Sequence, residues 1–424
     1  MPARQPEGTM GSPGTTSLVV SLFALLWVGF AQALEFDARV KAFGTGAALP
    51  DHDLQRQLAG TPVYNYSADL RLLFRQQTGP VSWIVDHSTI VNGGDSFGFL
   101  LDPGATLDQS PTDDDLRLLD LSWEIDSADR HRSIHRFDRL AIQYRRDNWG
   151  VTLGRQAVSW GSGFVFQPMD LFSPFAPTTV DRDYKAGDDL LLVEKLFGDG
   201  SDLQLLGVAR RDVDGDVRSD VASVALKWHG FVGEGELELF AGKHYRDQVG
   251  GVSVRYPIKG ALLRTDIVAT RLDEGDWKIS GILNLDYSLL VANKTTYVFA
   301  EYFHNGFGVD ELPQNILLLP TDLSLRLARG EVFNLMKDYL AVGASIQWHP
   351  LWTQSLTLIG NLHDSSTLIQ TSVSYEPGDH SRVQIGLVVS LGDAGEEFGG
   401  VALLSESATT GGAVQGFLRW VYYF

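Results

Sequence analysis

The sequence contains no cysteine among its 424 residues. Disulfide bonds, cysteine-ligated zinc, iron–sulfur clusters and a cysteine nucleophile are therefore excluded. A small exported domain would usually need disulfide bonds, whereas a closed β-barrel is held by a continuous hydrogen-bonded ladder and needs none. The absence of cysteine therefore does not by itself decide the compartment, and it is compatible with an exported β-barrel.

Basic residues are few relative to acidic ones. The chain has 34 Lys and Arg against 53 Asp and Glu, which gives a net charge of −19. Because phosphate binding needs a basic surface, nucleic acid is not expected as a partner. The acidic excess suits long solvated loops, and outward-facing loops of this kind would also hold divalent cations beside anionic surface lipid.

Long apolar runs are absent except near the N-terminus. Leu18–Phe30 is apolar but shorter than the roughly 18 residues of a membrane-spanning helix. Ala31-Gln32-Ala33 follows it and has the small-residue pattern of a cleavage site. We therefore expect residues 1–33 to be a signal peptide and residues 34–424 to form the mature protein. An uncleaved anchor helix is the alternative.

Glycine and aromatic residues are abundant, with 44 Gly, 22 Phe, 13 Tyr and 10 Trp. Between clusters of turn residues, short runs alternate apolar with polar side chains. Leu237, Leu239 and Ala241, for example, share one face of a strand, while Glu236 and Glu238 share the other. With about 10 residues per tilted strand, the chain holds about 16 to 18 strands. This pattern predicts an all-β, transmembrane antiparallel β-barrel with long loops around an aqueous lumen.

The C-terminus carries the most specific pattern. Leu418, Trp420, Tyr422 and Phe424 occupy alternate positions, so they share one face of a final strand. A terminal Phe preceded by an aromatic residue two positions earlier closely resembles the last strand of Gram-negative outer-membrane proteins. In that family the barrel-assembly machinery reads this signal. The resemblance implies the cell outer membrane as location, with outer-membrane lipid and the assembly machinery as partners.

A second resemblance lies within residues 150–190. Gly154–Gly161 reads GRQAVSWG and is followed by Pro168-Met169-Asp170. The pattern GRQ-x-x-x-WG with a later P-x-D resembles a segment of large porin-like and polysaccharide-export-like barrels. The resemblance implies a transport barrel and transfers no catalytic residue.

Residues 156–187 form a stretch too long to be a strand, and three prolines stiffen it: Pro168, Pro174 and Pro177. A stiff loop can fold into the lumen, where its charged side chains would set a constriction. An outward loop held by its own ion pairs is the alternative. The candidate pore-lining residues are Arg139, Arg145, Arg155, Asp181, Arg182, Asp183, Lys185, Asp188 and Asp189.

For two of these candidates, strand geometry predicts the face of the wall on which the side chain lies. Arg139 and Arg145 have the same parity, and arginine on the lipid face would cost about 2–4 kcal/mol, so both are expected to face the lumen. They would either guide anions or form ion pairs with facing carboxylates.

Catalytic and cofactor motifs are not evident. Glu301–Gly306 faintly resembles a segment of outer-membrane phospholipases, but Asn305 stands where the serine would be. The histidines are scattered, and no phosphate-binding loop is present. We expect no enzyme, metal or cofactor.

The predicted function is a porin-like pore for diffusion or selective passage of small polar solutes. The alternatives are the outer-membrane part of a polymer or lipid export system, and a structural surface barrel or barrel enzyme. The solute stays open, as does the choice between monomer and trimer.

Overall fold

The computed structural model describes residues 34–97, 114–405 and 408–424. The predicted signal peptide, residues 1–33, lies outside them, so that interpretation remains a prediction. Two short helices are present, α1 (Leu54–Ala59) and α2 (Thr321–Ala328). The strands are β1 (Glu35–Ala48), β2 (Val63–Thr78), β3 (Val81–Gly94), β4 (Ser122–Ala128), β5 (His131–Arg146), β6 (Trp149–Gln156), β7 (Asp188–Leu196), β8 (Asp202–Val208), β9 (Ser223–Val232), β10 (Gly235–His244), β11 (Asp247–Ile258), β12 (Ala261–Arg271), β13 (Trp277–Val291), β14 (Lys294–His304), β15 (Asp338–His349), β16 (Trp352–Asn361), β17 (Thr367–Gly378), β18 (Ser381–Leu391), β19 (Val401–Ser405), β20 (Ala408–Thr410) and β21 (Val414–Tyr423).

The strands close into a barrel. Nineteen of them belong to one sheet, and all of these except β4 follow one another around the wall as antiparallel neighbours. The last wall strand, β21, pairs with both β18 and β1, which completes the ring. Closure leaves the ring of wall strands without a first or last edge, as a structure that spans lipid requires. The predicted all-β barrel is confirmed, with eighteen wall strands in the described part of the chain.

The two faces of the wall differ in polarity. On β21, Leu418 is 52% exposed on the outer face, whereas Arg419 is 2% exposed on the inner face. Trp420 and Tyr422 continue the outer row, and the ring of Phe424 lies 4.8 Å from that of Tyr422. Leu418, Trp420 and Tyr422 thus share the outer face of β21, and Phe424 follows directly after the end of the strand. Recognition of the last strand by the assembly machinery remains a prediction.

The two ends of the barrel also differ. At one end, which we call the turn end, two-residue turns join successive strands, as between β13 and β14, except that residues 197–201 join β7 to β8. At the other, the loop end, long connections span residues 49–62, 157–187, 209–222, 305–337 and 392–413. In outer-membrane barrels short turns face the periplasm and long loops face outward. The loop end is therefore the extracellular side.

The wall has an unusual arrangement beside β5. One edge of β5 pairs with β3, while its other edge is shared by β6 near the turn end and β4 near the loop end. Residues 114–121 continue from β4 toward the end of β8, where the N–H of Arg211 donates to the carbonyl of Leu116 at 3.0 Å. Strands β6 and β7 are thus short and end before the loop end of the wall. Residues 114–121 cover the gap between the ends of these strands and the loop end.

The helical part of the described chain is small. Helix α2 begins after Pro320 and ends at Ala328, within the long connection between β14 and β15. Neither helix has the length and apolar character needed to cross a bilayer.

Candidate functional site

The connection between β6 and β7 runs through the interior of the barrel. Residues 157–187, which we call the inner loop, contact Glu301 on β14 and Arg419 on β21. These strands lie on different sides of a closed wall. A segment that reaches the inner faces of both must pass through the lumen.

The tip of the inner loop is bound to the wall by its backbone. The carboxylate of Asp266 on β12 accepts hydrogen bonds from the N–H groups of Ser162 at 2.9 Å and Gly163 at 3.1 Å. Glu301 accepts from the next three N–H groups, residues 164–166, at 2.8–2.9 Å. A Cβ atom at position 163 would lie 1.8 Å from a carbonyl oxygen, so only glycine permits this turn.

The returning limb of the inner loop is bound at the seam where β1 meets β21. Asp181 forms ion pairs with Lys41 and with Arg419, the latter at 3.0 Å. Asp183 pairs with Arg39 at 3.1 Å and with the same Arg419. Burial opposes ionisation of Asp181, but the charges of Lys41 and Arg419 outweigh it and hold its pKa well below the usual value.

Tyr184 continues this contact along the neighbouring strands. Its ring centroid lies 4.3 Å from the guanidinium carbon of Arg39 and 3.8 Å from that of Arg71 on β2. Arg71 also forms an ion pair with Asp138 on β5. Stacking of both guanidinium groups on one ring fixes the limb against the first strands of the wall.

A buried ion pair clasps the inner loop to itself. The ammonium of Lys185 contacts both carboxylate oxygens of Asp170, the carbonyl of Val158 and, at 3.1 Å, the hydroxyl of Ser159. Burial raises the pKa of Asp170 to about 6 and lowers the pKa of Lys185, although each charge stabilises the other. The clasp joins the beginning, middle and end of the loop.

Arg182 is the exception among the charged residues of the inner loop. Its guanidinium donates only to backbone carbonyls, those of Pro177 at 3.0 Å, Thr179 at 3.2 Å and Phe164 at 3.4 Å. Within the described residues, no carboxylate forms an ion pair with it. Its side chain is exposed although it lies inside the barrel. Phe164 is also exposed beside it, and its ring centroid lies 5.6 Å from that of Tyr297.

Arg155 and Asp189 lie in the wall rather than in open space. Arg155 is 0% exposed and forms two hydrogen bonds of 2.9 and 3.0 Å with Asp189. It also binds Asp114 and the carbonyl of Leu119. The guanidinium therefore closes the gap where β6 leaves the wall, and no part of it contacts solvent.

The remaining candidates are distributed differently. Arg139 is buried and donates to the carbonyls of Asp138 and Lys185. Asp188 pairs with Arg210 at 3.1 Å. Arg145 is exposed at the turn end of β5, away from the inner loop. The structure thus groups Asp181, Arg182, Asp183 and Lys185 in the lumen and separates Arg145 from them.

A hydrolase-like chain of side chains is present near the loop end. The hydroxyl of Ser223 lies 3.0 Å from Nδ1 of His244, whose Nε2 lies 3.1 Å from Glu331. A nucleophilic serine must be open to substrate. Ser223 is 2% exposed, and its hydroxyl accepts a 2.8 Å hydrogen bond from Arg210. In the described ranges, no group of three or more His, Asp or Glu side chains is arranged to hold a metal ion.

The residues that anchor the inner loop were not singled out from the sequence. Asp266, Glu301 and Arg419 each stand at an inward position of an otherwise apolar strand stretch, such as Phe417 to Val421. A charge at such a position indicates an inward-facing residue, but the sequence pattern gives no partner for it.

Comparisons with solved structures agree on the fold. The chain is similar to OccK1 (OpdK) of Pseudomonas aeruginosa, with a TM-score of 0.53 and 10% identity over 93% of this chain and 100% of that one. It is also similar to a BenF-like porin from Pseudomonas fluorescens Pf-5, with a TM-score of 0.54 and 12% identity over 93% and 100% of the two chains. No protein-family model matches the sequence, and no similar sequence was found among curated proteins. The fold, with its apolar outer wall, is that of an outer-membrane β-barrel.

Proposed function

We propose that the barrel is a pore through which small polar solutes cross the outer membrane. The inner loop is its constriction, and Arg182 gives it a preference for anions. The observation that carries the proposal is the pairing of charges. Asp170, Asp181, Asp183 and Lys185 all have partners of opposite charge, whereas the exposed cation of Arg182 has none among the described residues.

An unpaired charge in a narrow lumen has a strong effect on passing ions. The surrounding wall has a lower dielectric constant than water, so a fixed charge there interacts more strongly with a solute than it would on an open surface. Rings or single groups of one sign set the selectivity of pores by this effect. Among the charges of the inner loop, Arg182 is thus the one without an ion-pair partner in the described chain, and the wall carboxylate of Glu301 interacts with it electrostatically.

The other functions suggested by the sequence have less support. Passage of a polymer needs a wide lumen, whereas the inner loop is bound at Glu301 on one side and at Arg419 on the other. Acyl-transfer chemistry needs an accessible nucleophile, and the hydroxyl of Ser223 is buried.

Ion selectivity in planar lipid bilayers tests the proposal. The purified protein is inserted into a bilayer, and the reversal potential is measured across a KCl gradient. We expect stepwise currents with a preference for chloride, a smaller preference for Arg182→Gln and a reversed one for Arg182→Glu. Arg145→Gln, which removes an exposed arginine at the turn end, should leave the reversal potential unchanged. Inserted protein without current, or an unchanged selectivity in both Arg182 variants, would contradict the proposal.

A further inference from the structure

A cavity lies between the inner loop and the connection 305–337, at the loop end of the barrel. Its volume is about 750 Å³ including its open side. Strands β10 to β14 supply its floor, through residues such as Val268, Thr270 and Phe303. The inner loop supplies one wall and residues 305–334 supply the other. A solute entering from outside would meet this cavity before the tip of the inner loop.

The walls of the cavity are mainly apolar and aromatic. Phe175 of the inner loop and Phe333 of the opposite connection both line it. Both rings are only half-buried, and neither belongs to the buried apolar clusters that fill the barrel near the loop end. Aromatic rings left open to a cavity offer faces and edges to a planar solute.

The charged residues that line the cavity are already paired. Arg326 forms an ion pair with Asp247 and lies 3.9 Å from Glu331. Glu331 is in turn 3.1 Å from His244, whose other nitrogen is bound to a serine. Asp170 is held by the clasp described above. A charged solute would therefore lose its hydration without gaining a free counter-ion.

Uncharged polar groups are available at the same surface. The hydroxyl of Thr270 and the side-chain amides of Gln167 and Asn334 line the cavity and have no hydrogen-bond partner in the described part of the chain. By contrast, the amide of Asn305 is fully used by backbone groups. The cavity thus combines open aromatic rings with neutral donors and acceptors.

We propose that this cavity binds a small, uncharged, planar solute with one polar edge, such as an aromatic amide. The apolar ring would pack against Phe175 and Phe333, and the polar edge would exchange hydrogen bonds with Thr270, Gln167 or Asn334. Its role as an entry site for transport rests on the proposed pore, but the binding itself does not. The site differs in chemistry from Arg182, which attracts anions.

Benzamide and benzoate are suitable probes because they have nearly the same shape and differ in charge. Binding is measured by saturation-transfer NMR with the full-length processed protein in detergent, which requires no current. We expect saturable transfer to benzamide and much weaker transfer to benzoate. Phe175→Ala and Phe333→Ala should each weaken benzamide binding about three- to tenfold, the effect of losing one aromatic contact. Thr270→Val, which keeps the shape of the side chain, should weaken it severalfold.

Phe164→Ala is the matched control. Phe164 is an exposed phenylalanine of the same loop that does not line the cavity, so its removal should leave benzamide binding unchanged. Absence of saturable benzamide binding, equal binding of benzoate, or equal loss in the control would overturn the proposal. If the bilayer experiment shows no current while benzamide still binds, the pore is disproved and the binding site stands. Current without benzamide binding would disprove the binding site and leave the pore standing.

Discussion

The carboxylate of Glu301 accepts a 2.9 Å hydrogen bond from the backbone N–H of Val165, although 136 residues separate them in the chain. A backbone donor does not depend on the side chain that carries it. The position of the loop tip is therefore determined mainly by where the wall places its carboxylates, here Glu301 and Asp266.

Removal of these carboxylates should widen the pore. In the double variant Glu301→Ala with Asp266→Ala, the N–H groups of residues 162–166 lose their acceptors, and each lost charge-assisted hydrogen bond costs about 1.5–3 kcal/mol. We expect a larger and noisier single-channel conductance. Glu194→Ala removes a carboxylate from β7 that does not contact the loop and should leave the conductance unchanged. Equal conductance in the double variant would contradict this role of the tip.

The clasp between Lys185 and Asp170 should control the order of the loop more than the stability of the barrel. Lys185→Ala leaves a buried carboxylate unpaired, a change that costs about 3–5 kcal/mol. We expect faster hydrogen–deuterium exchange of the inner-loop amides, while the unheated protein keeps its folded mobility in gel electrophoresis. The pair Lys185→Met with Asp170→Leu removes both charges and should restore much of the protection from exchange. Unchanged exchange in Lys185→Ala would argue against the clasp.

Arg155 should stabilise the wall through the shape of its guanidinium. Its nitrogens bind Asp114, Asp189 and the carbonyl of Leu119 at once, and a lysine ammonium cannot reach all of these positions. Arg155→Lys should therefore lower the melting temperature of the barrel by several degrees, as a loss of about 2–4 kcal/mol would. Arg145→Lys, at an exposed position, is the control and should leave it unchanged. Equal melting temperatures would show that the gap in the wall does not depend on Arg155.

Glu397 should make the loop end sensitive to pH. Its carboxylate accepts hydrogen bonds from Tyr339, from Asn361 at 2.7 Å and from the N–H of Leu335 at 2.8 Å. Burial, together with the nearby carboxylate of Asp364, raises the pKa of Glu397 to about 7. The ordinary pKa of a glutamate is 4.5. Between pH 4.5 and about pH 7, Glu397 therefore binds more protons when its segment is packed against the wall than when the segment is released.

The packing of residues 392–400 against the wall therefore weakens as the pH rises through this interval. The free energy of packing falls by about 1.4 kcal/mol for each tenfold difference in the proton affinity of Glu397 between the packed and released states. The urea midpoint of unfolding should fall between pH 5 and 8 in the natural protein. Glu397→Gln keeps the shape of the side chain and should remove most of this slope. A slope of equal size in the variant would assign the pH dependence to other groups.

Much of the fold was predictable because strand alternation is a local property. Leu237 and Leu239 face outward and Glu238 inward, as the spacing predicts. Arg139 lies on the inner face as its parity predicts, but its neighbour Asp138 shows the limit of this approach. A register shift opposite Asp86 and His87 creates a β-bulge that places both Asp138 and Arg139 on the inner face. Such a bulge depends on pairing with another strand and is not visible in the sequence of β5.

The site was less predictable than the fold. Proline spacing and length single out residues 156–187, and the structure starts the loop one residue later, after Gln156. Which of its charges remain unpaired depends on residues far away in the chain. Asp183 finds Arg39 and Arg419, whereas the adjacent Arg182 finds only carbonyl groups. Long-range contacts of this kind leave no periodic trace in the sequence.

The position of the two aspartates at the seam also bears on the order of assembly. Among the described wall strands, Arg419 belongs to the last in chain order, while Lys41 and Arg39 belong to the first. The same two carboxylates, Asp181 and Asp183, bind residues of both strands. The loop can therefore complete its contacts only when the two ends of the sheet have met. Closure of the cylinder and completion of the loop's contacts at the seam therefore become one cooperative event, so a half-closed intermediate would have neither.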